Sequence, residues 1–270
     1  MTAYTGMIRT LRKSGLKPGV LAEFCIEHGY TAILGEGSNA IDGGANVGRH
    51  TLFMSRCVGE SGTIFACEPA AEAVVKLRSR LREVNARNVV LLCFALSDTL
   101  DVVDFTVCRR ATWYSSLRPI RILPENVAAE LDVRKVLACP LDDAIPTNRK
   151  IDFIKLDLEG GEFPALRGAR ALIARDRPLI VFENGRQKSA ETFGYTEEDF
   201  FGFFDALDYD LSTIDGRPFE RAHWTALTSV FYFWATPRES TALYRERIGE
   251  WTEKAFQSVR ERSSLTEGEA

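Results

Sequence analysis

Ala40-Ile41-Asp42-Gly43-Gly44-Ala45-Asn46-Val47-Gly48, followed by Glu68-Pro69, is the stretch on which the fold turns. A short apolar run ends in an acid and three glycines, Gly43, Gly44 and Gly48. A helical pattern starts at once, with Leu52, Phe53 and residues 55–58. A second apolar run, residues 63–67, delivers Glu68 at its carboxyl end. The order is strand, glycine turn, helix, strand, acid. In such a unit glycine lets the backbone come close to a ligand, and the acid after the second strand can hold two ribose hydroxyls. The unit reads as a site for an adenosine-containing cofactor.

The details of the turn discriminate between cofactors. A dinucleotide site uses G-x-G-x-x-G, so that a pyrophosphate rests on bare backbone at a helix N-terminus. Here Asp42 precedes the glycines, and Asn46 and Arg49 crowd the turn. A carboxylate at the mouth repels a pyrophosphate but suits a ligand with an ammonium and a sulfonium. S-adenosylmethionine is such a ligand. A tight strand-to-helix turn needs glycine even without a ligand, so the turn gains meaning from Glu68 at the expected place.

The chain has 270 residues, enough for one large core with an appendage or two. Its net charge of −4 argues against nucleic acid as a partner, which calls for a strongly basic face. The first charged residues, Arg9, Arg12, Lys13 and Lys17, are all basic and read as a basic surface helix. An organellar transit peptide has a similar bias. No apolar run reaches the ~18 residues of a membrane span, and no secretory h-region is read in the sequence. The six cysteines (25, 57, 67, 93, 108 and 139) are scattered without C-x-x-C and read as reduced thiols. The expectation is a cytoplasmic protein without disulfides or structural zinc.

Outward from the glycine turn the pattern alternates between strands and helices. Strand-like runs are residues 40–43, 63–68, 89–96, 153–158, 179–183, 210–214 and 230–235. Val74, Val75, Leu77, Leu81 and Val84 mark a helix, residues 165–174 another, and Phe200, Phe203, Phe204 and Leu207 a third. This is an α/β, doubly wound chain with a mostly parallel sheet. The aromatic run 229–234 reads as a central strand. Residues 100–150 interrupt the alternation as a small β insertion: 102–107 and 136–141 read as strands, 113–117 as a loop, and 126–135 as a charged short helix or turn. Residues 1–38 form an N-terminal helical segment, in which Leu21, Phe24, Cys25 and His28 share a face of a short helix ending at Gly29. His28 reads there as a helix C-terminal residue favoured by the dipole. The main domain spans 39–237. Segment 238–262 is an amphipathic helix with Tyr244, Ile248, Trp251, Ala255 and Val259 on one face, packed on its own domain or on a second copy. Residues 263–270 read as a disordered tail. Monomer and homodimer both remain open.

The second informative stretch is Ile151-Asp152-Phe153-Ile154-Lys155-Leu156-Asp157-Leu158-Glu159-Gly160-Gly161-Glu162. A buried strand feeds acids and glycines into a turn, and a helix begins about Pro164. Asp157 falls at the carboxyl end of the strand, where open α/β sheets bind ligands. Glu162 alone is explained by a helix N-terminus; Asp157, Glu159 and the glycines together are not. At the next strand's end, Phe182-Glu183-Asn184-Gly185 projects an acid and an amide at the same edge.

In this order and separation the motifs resemble the FkbM-type S-adenosylmethionine-dependent methyltransferases. The matching residues are Asp42 to Gly48, Glu68-Pro69, Ala95-Leu96-Ser97-Asp98 and Leu141-Asp142-Asp143. Asp152 through Glu162 with Leu166-Arg167-Gly168-Ala169, and Arg177-Pro178 through Glu183, complete the match. It covers about residues 39–216. Family members often carry an aliphatic residue and a histidine after the acid at Glu183; this chain has Asn184-Gly185, so no role of that histidine carries over.

The resemblance implies a Rossmann-like, seven-stranded class I methyltransferase fold and O-methylation of a hydroxyl on a sugar or other small natural-product acceptor. It implies that Asp42, Gly43, Gly44, Asn46 and Gly48 hold the methionine part of the cofactor. Glu68 would take the ribose hydroxyls, and Ser97 and Asp98 would lie by the adenine. Asp157 and Glu159 would face the transferring methyl group and the acceptor. Methyl transfer needs in-line positioning and, for a sugar hydroxyl, a base. Asp157, Glu159 and Glu183 are the catalytic candidates, with Glu162, His50 and His223 as further bases. His50 reads as an exposed helix histidine, and His223 stands beside Trp224. A metal alternative places Mg²⁺ on Asp157, Glu183 and Asn184, where it would lower the pKa of the acceptor hydroxyl; carboxylates without metal are the preferred reading. Two other classes remain: a nucleotide-sugar or dinucleotide oxidoreductase on the same unit, and a non-catalytic S-adenosylmethionine-binding protein. Ser115-Ser116 with Trp113 and Tyr114 are expected close to the opening of the pocket, since binding residues concentrate on such loops.

Overall fold

The computed structural model describes Gly6 and residues 18–108, 115–117, 131–225 and 230–267. Strand β1 (Asn39–Gly43) lies buried along its whole length between β2 (Thr63–Cys67) and β7 (Phe153–Leu156), in parallel with both. Strand β3 (Val89–Leu92) extends the parallel sheet beyond β2, and β8 (Leu179–Glu183) extends it beyond β7. The last two strands, β9 (Tyr209–Thr213) and β10 (Tyr232–Pro237), complete seven strands in the order β3-β2-β1-β7-β8-β10-β9. Strand β10 runs antiparallel to both its neighbours, so the aromatic run is one strand from the edge rather than central. The sheet is mostly parallel and doubly wound. Its strand order reverses at β1, and the carboxyl ends of β1 and β7 lie side by side there. A ligand crevice is expected at that place in open α/β sheets.

Helix α1 (Pro18–Ile33) precedes the sheet, and α2 (Arg49–Val58) and α3 (Ala71–Glu83) follow β1 and β2. Helix α1 does not stop at Gly29. A Cβ there would stand 2.5 Å from the Trp234 ring, so Gly29 admits a close helix–sheet approach and the helix runs on to Ile33. His28, on α1, lies 3.3 Å from Ser258 Oγ as part of a helix–helix contact.

The run 89–96 is two strands. Chain pairing ends at Leu92, and β4 (Ala95–Leu96) joins a second sheet of order β4-β6-β5 with β5 (Asp101–Cys108) and β6 (Leu131–Cys139). Residues 131–135, expected as helix or turn, belong to β6; residues 126–130 lie outside the described residues. Their charges are accommodated by pairing across and beside the ladder: Arg134 with Asp132 and Glu72, Lys135 with Asp104.

A short α4 (Leu141–Ala144) leads to β7. The helix expected over 165–174 starts earlier and breaks in two, α5 (Glu162–Arg167) and α6 (Arg170–Asp176). The break falls at Gly168, where a Cβ would meet the Ser97 carbonyl oxygen at 2.0 Å. Helices α7 (Gln187–Phe193) and α8 (Glu197–Ala206) follow β8. Thr196 caps α8 in a reciprocal capping box with Asp199. Phe163, Phe182, Phe200, Phe203 and Phe204 pack as one aromatic cluster, with Phe182 stacked on Phe204 at 5.7 Å.

Helix α9 (Thr241–Glu267) continues beyond residue 262, so its backbone stays helical into the segment expected as tail. Ile248, Trp251, Ala255 and Val259 are buried in the same core as Leu21 and Ile26 of α1. The stripe therefore folds onto its own chain, and Trp251 meets Trp234 at 5.7 Å between ring centroids. The basic residues Arg9, Arg12, Lys13 and Lys17 lie outside the described residues, as do Trp113 and Tyr114. Among the described residues no helix is long and apolar enough to cross a membrane.

Candidate functional site: a cavity at the carboxyl ends of β1, β2 and β7

The turn after β1 alternates in handedness. Gly44, Asn46 and Gly48 have φ of 74°, 47° and 86°. Glycine meets no Cβ penalty there, and asparagine tolerates it. At Gly44 the requirement is also one of space, because a Cβ would stand 1.9 Å from the carbonyl oxygen of Asp157. The turn is fastened to β2 by Gly44 and Ala45 N–H groups donating to the Cys67 carbonyl at 3.0 Å. The glycine turn and the acidic turn after β7 are thus pressed together. They wall a cavity of about 360 Å³, within the usual range for small-molecule sites.

Glu68 leaves the end of β2 and is fixed there. Its two oxygens accept from the Asn46 N–H at 2.9 Å and the Ala70 N–H at 2.8 Å. Burial pushes its carboxyl up to about 7 despite those bonds. Phe94, Ala95 and Leu96, with Phe105 and Leu117 of the insertion, supply an apolar stretch of wall. Ser115 stands on the wall too, while Ser116 is exchanged into a backbone bridge with Thr106.

Asp42 takes a different place from the one expected. It is fully buried, and its Oδ2 accepts from Thr51 Oγ1 at 2.5 Å. Its Oδ1 lies 3.5 Å from Lys155 Nζ. The carboxylate is committed to the scaffold under the glycine turn and does not line the cavity. Gly43 and Gly48 shape the turn without forming wall. Ser97 and Asp98 also stand off it: Asp98 pairs with Arg167 at 2.6 Å, and the Ser97 backbone packs against Gly168.

The acids after β7 and β8 converge. Carboxylate oxygens of Asp157, Glu159 and Glu183 lie within 4.8 Å of one another. Asp157 Oδ2 accepts from the Tyr232 hydroxyl at 3.1 Å and lies 3.6 Å from Lys155 Nζ. Burial, and then the charges of Asp157, Glu162 and Glu159, raise Glu183 well above the ordinary carboxylate value. Burial and the charge of Asp157 push Glu159 up to about 8. Glu159 has φ 53°, an unfavourable left-handed backbone for a glutamate, and no hydrogen bond to its carboxylate is seen among the described residues. Glu162 is different again. Fully buried, it accepts from Leu158 N–H at 2.7 Å and Gly160 N–H at 3.2 Å, which makes it the clasp of the turn.

Three side chains that the sequence reading passed over complete the site. Lys155 points its ammonium between Asp42 and Asp157; burial opposes its charge, but the two acids outweigh that and hold it firmly protonated. Its signal was a lone lysine inside an apolar strand run. Tyr232 arrives from β10, and Glu23 from α1. His50 is buried rather than exposed, with Nε2 2.8 Å from Glu23 Oε2. His223 accepts from the Glu220 N–H through Nδ1 at 3.1 Å, closing a turn away from the cavity. Asn184 is buried with its amide spent on both sides, accepting from Arg186 N–H at 2.5 Å and donating to the Tyr195 hydroxyl at 3.2 Å. That removes it from the three-oxygen Mg²⁺ set.

A family model described as the methyltransferase FkbM domain matches residues 42–211, more than half of the chain. No curated protein matches. Among solved structures, the chain is similar to the methyltransferase FkbM of Methylobacillus flagellatus KT, at 16% identity and TM-score 0.46 over 76% of this chain and 47% of that one. The chain thus spans about half the length of that protein. It is also similar to a SAM-dependent O-methyltransferase of Thermotoga maritima, at 14% identity and TM-score 0.43 over 79% of this chain and 64% of the other. A third is the precorrin-6y C5,15-methyltransferase of Geobacter metallireducens GS-15, at 14% identity and TM-score 0.42 over 79% and 87% of the respective chains.

Proposed function

The chain belongs to the FkbM methyltransferase domain family, and on that premise we propose that it transfers a methyl group from S-adenosylmethionine to a hydroxyl of a sugar or other small natural-product acceptor. The observation that carries the reading is the contact of the two turns. Gly44 and Asp157 touch, which brings Glu68 and Glu159 onto the wall of one cavity. The residues fit the cofactor. Glu68, oriented by two backbone N–H groups, keeps lone pairs for ribose hydroxyls, and the apolar wall of Phe94, Leu96 and Phe105 suits an adenine. The bare backbone of Gly44 admits a close approach.

When bound, the cofactor supplies an electrophilic methyl group on a sulfonium. The chain's own residues then have three tasks. Lys155, held between Asp42 and Asp157, and Tyr232, donating to Asp157, fix the acidic turn so that an acceptor hydroxyl can be positioned for in-line attack. Burial and the neighbouring acids raise Glu183, which disfavours a second negative charge beside Asp157. Glu159, whose carboxylate has no hydrogen bond among the described residues and is pushed up to about 8, takes the acceptor's hydroxyl proton. The test is transfer of label from methyl-labelled S-adenosylmethionine to a panel of hydroxylated sugars and polyketide-type alcohols. Labelled ether in the wild type, lost in Glu159→Gln, supports the reading. Label arriving on nitrogen or carbon would overturn the hydroxyl assignment.

A further inference from the structure

Resting on the reading of the cavity as a site for S-adenosylmethionine, we propose that Glu23 and Arg49 form the subsite for the amino-acid end of that cofactor, Glu23 receiving the ammonium and Arg49 the carboxylate. A methionine head is a zwitterion. It is matched by an anion and a cation held side by side and open to the ligand.

The cavity wall beside the glycine turn has that arrangement. Glu23 and Arg49 both line it, together with His50. Arg49 is anchored by Glu27, which accepts from Nε at 3.0 Å and Nη2 at 2.7 Å. Its remaining Nη1 lies 3.3 Å from Glu23 Oε2. His50 Nε2 holds the same Glu23 oxygen at 2.8 Å, so the carboxylate is oriented before any ligand arrives. Both side chains retain access to solvent, Glu23 at 22% and Arg49 at 46% exposed.

The other acids near the turn are worse partners for an ammonium. Asp42 is sealed beneath the turn by Thr51 and Lys155. Glu68 is fixed by two backbone N–H groups at the end of β2, where the proposed function gives it the ribose hydroxyls. Burial raises Glu68 and Glu159 to about 7 and 8, whereas at Glu23 the same effect is outweighed by His50, Arg49 and Lys155, which hold it at about 2. Glu23 is therefore fully charged where an ammonium needs it. It comes from α1, before the residues 42–211 that the family model matches, so this end of the pocket is built by a helix outside that match.

The experiment compares two ligands by calorimetry, S-adenosylhomocysteine and 5′-methylthioadenosine. The second keeps adenosine and sulfur but lacks the amino-acid head. Glu23→Gln preserves the size of the side chain and an oxygen for His50. It should weaken S-adenosylhomocysteine about 10- to 100-fold, the worth of one charge-assisted hydrogen bond, and leave 5′-methylthioadenosine within about twofold of wild type. Arg49→Gln should give the same selective loss. Equal loss for both ligands, or no loss for either, would overturn the assignment while leaving the cofactor reading intact. A wild type that binds neither ligand would remove the cofactor reading itself.

Discussion

Gly44 and Asp157 are in contact: a single added methyl at Gly44 would stand 1.9 Å from the Asp157 carbonyl oxygen. This contact locks the first glycine turn to the acidic turn after β7, and every function proposed for the cavity depends on it. Because the neighbour is backbone, it cannot swing away as a side chain would. Gly44 also has φ 74°, which an alanine adopts only with strain. Gly44→Ala should cost about 2–4 kcal/mol of stability, read by chemical denaturation. A midpoint equal to wild type would mean that the two turns can part without consequence.

Lys155 should be a keystone of stability. Its ammonium is buried 3.5 Å from Asp42 and 3.6 Å from Asp157. Removing one member of a buried ion cluster leaves the others uncompensated, at about 3–5 kcal/mol. Lys155→Met should show that loss in urea, and adding Asp42→Asn should restore part of it. A double variant no more stable than the single one would argue against the pairing.

The stability of the ligand-free protein should fall with rising pH. Glu159 is raised to about 8 and Glu68 to about 7, against an ordinary carboxylate value of 4.5, in each case chiefly by burial. Between those values the folded state keeps protons that the unfolded chain releases. The stabilising contribution is therefore complete below about 4.5 and is lost as pH climbs toward 8. Glu159→Gln should flatten the decline, measured as melting temperature against pH. A wild-type melting temperature that rose across that window in step with the variant's would contradict it.

Glu159→Gln should also lower single-turnover methyl transfer by ~10²–10⁴, the usual cost of losing a general base. Affinity for S-adenosylhomocysteine should stay close to wild type. Near wild-type turnover would move the base elsewhere in the acidic cluster, to Asp157, or to buried His50.

Helix α9 is part of the core. Trp251 is buried against Trp234, so Trp251→Ala should cost about 3–5 kcal/mol. Ending the chain at Pro237 should lower the melting temperature and expose the α1 face. A truncated chain that melted like the full one would show that α9 contributes nothing to the fold.

Chemistry carried by neighbouring residues was legible before the structure. Asp42 to Gly48 with Glu68, and Asp157 to Glu162, each announce a turn at a strand end within a few positions. The parallel sheet followed from the alternation around them. Packing glycines misled where they mimic punctuation. Gly29 ends no helix because it is there to admit Trp234, while Gly168, approached by Ser97, ends one that looked continuous. Strand β6 hid behind charges whose partners come from other elements, Glu72 and Asp104. Glu23 and Tyr232 enter the site only because topology brings α1 and β10 to it, and nothing in their local sequence marks them. Asp42 was recognised as special, but its burial against Thr51 and Lys155 is a tertiary fact.

What the cavity holds decides its chemistry. Titrating the protein calorimetrically with S-adenosylhomocysteine and with NAD, in wild type and in Glu68→Ala, addresses that directly. The account predicts one-to-one binding of S-adenosylhomocysteine and none of NAD. It further predicts a loss of about 1–3 kcal/mol in Glu68→Ala, as ribose hydroxyls lose their acceptor. Binding of NAD in place of S-adenosylhomocysteine, or an unchanged affinity in Glu68→Ala, would contradict it.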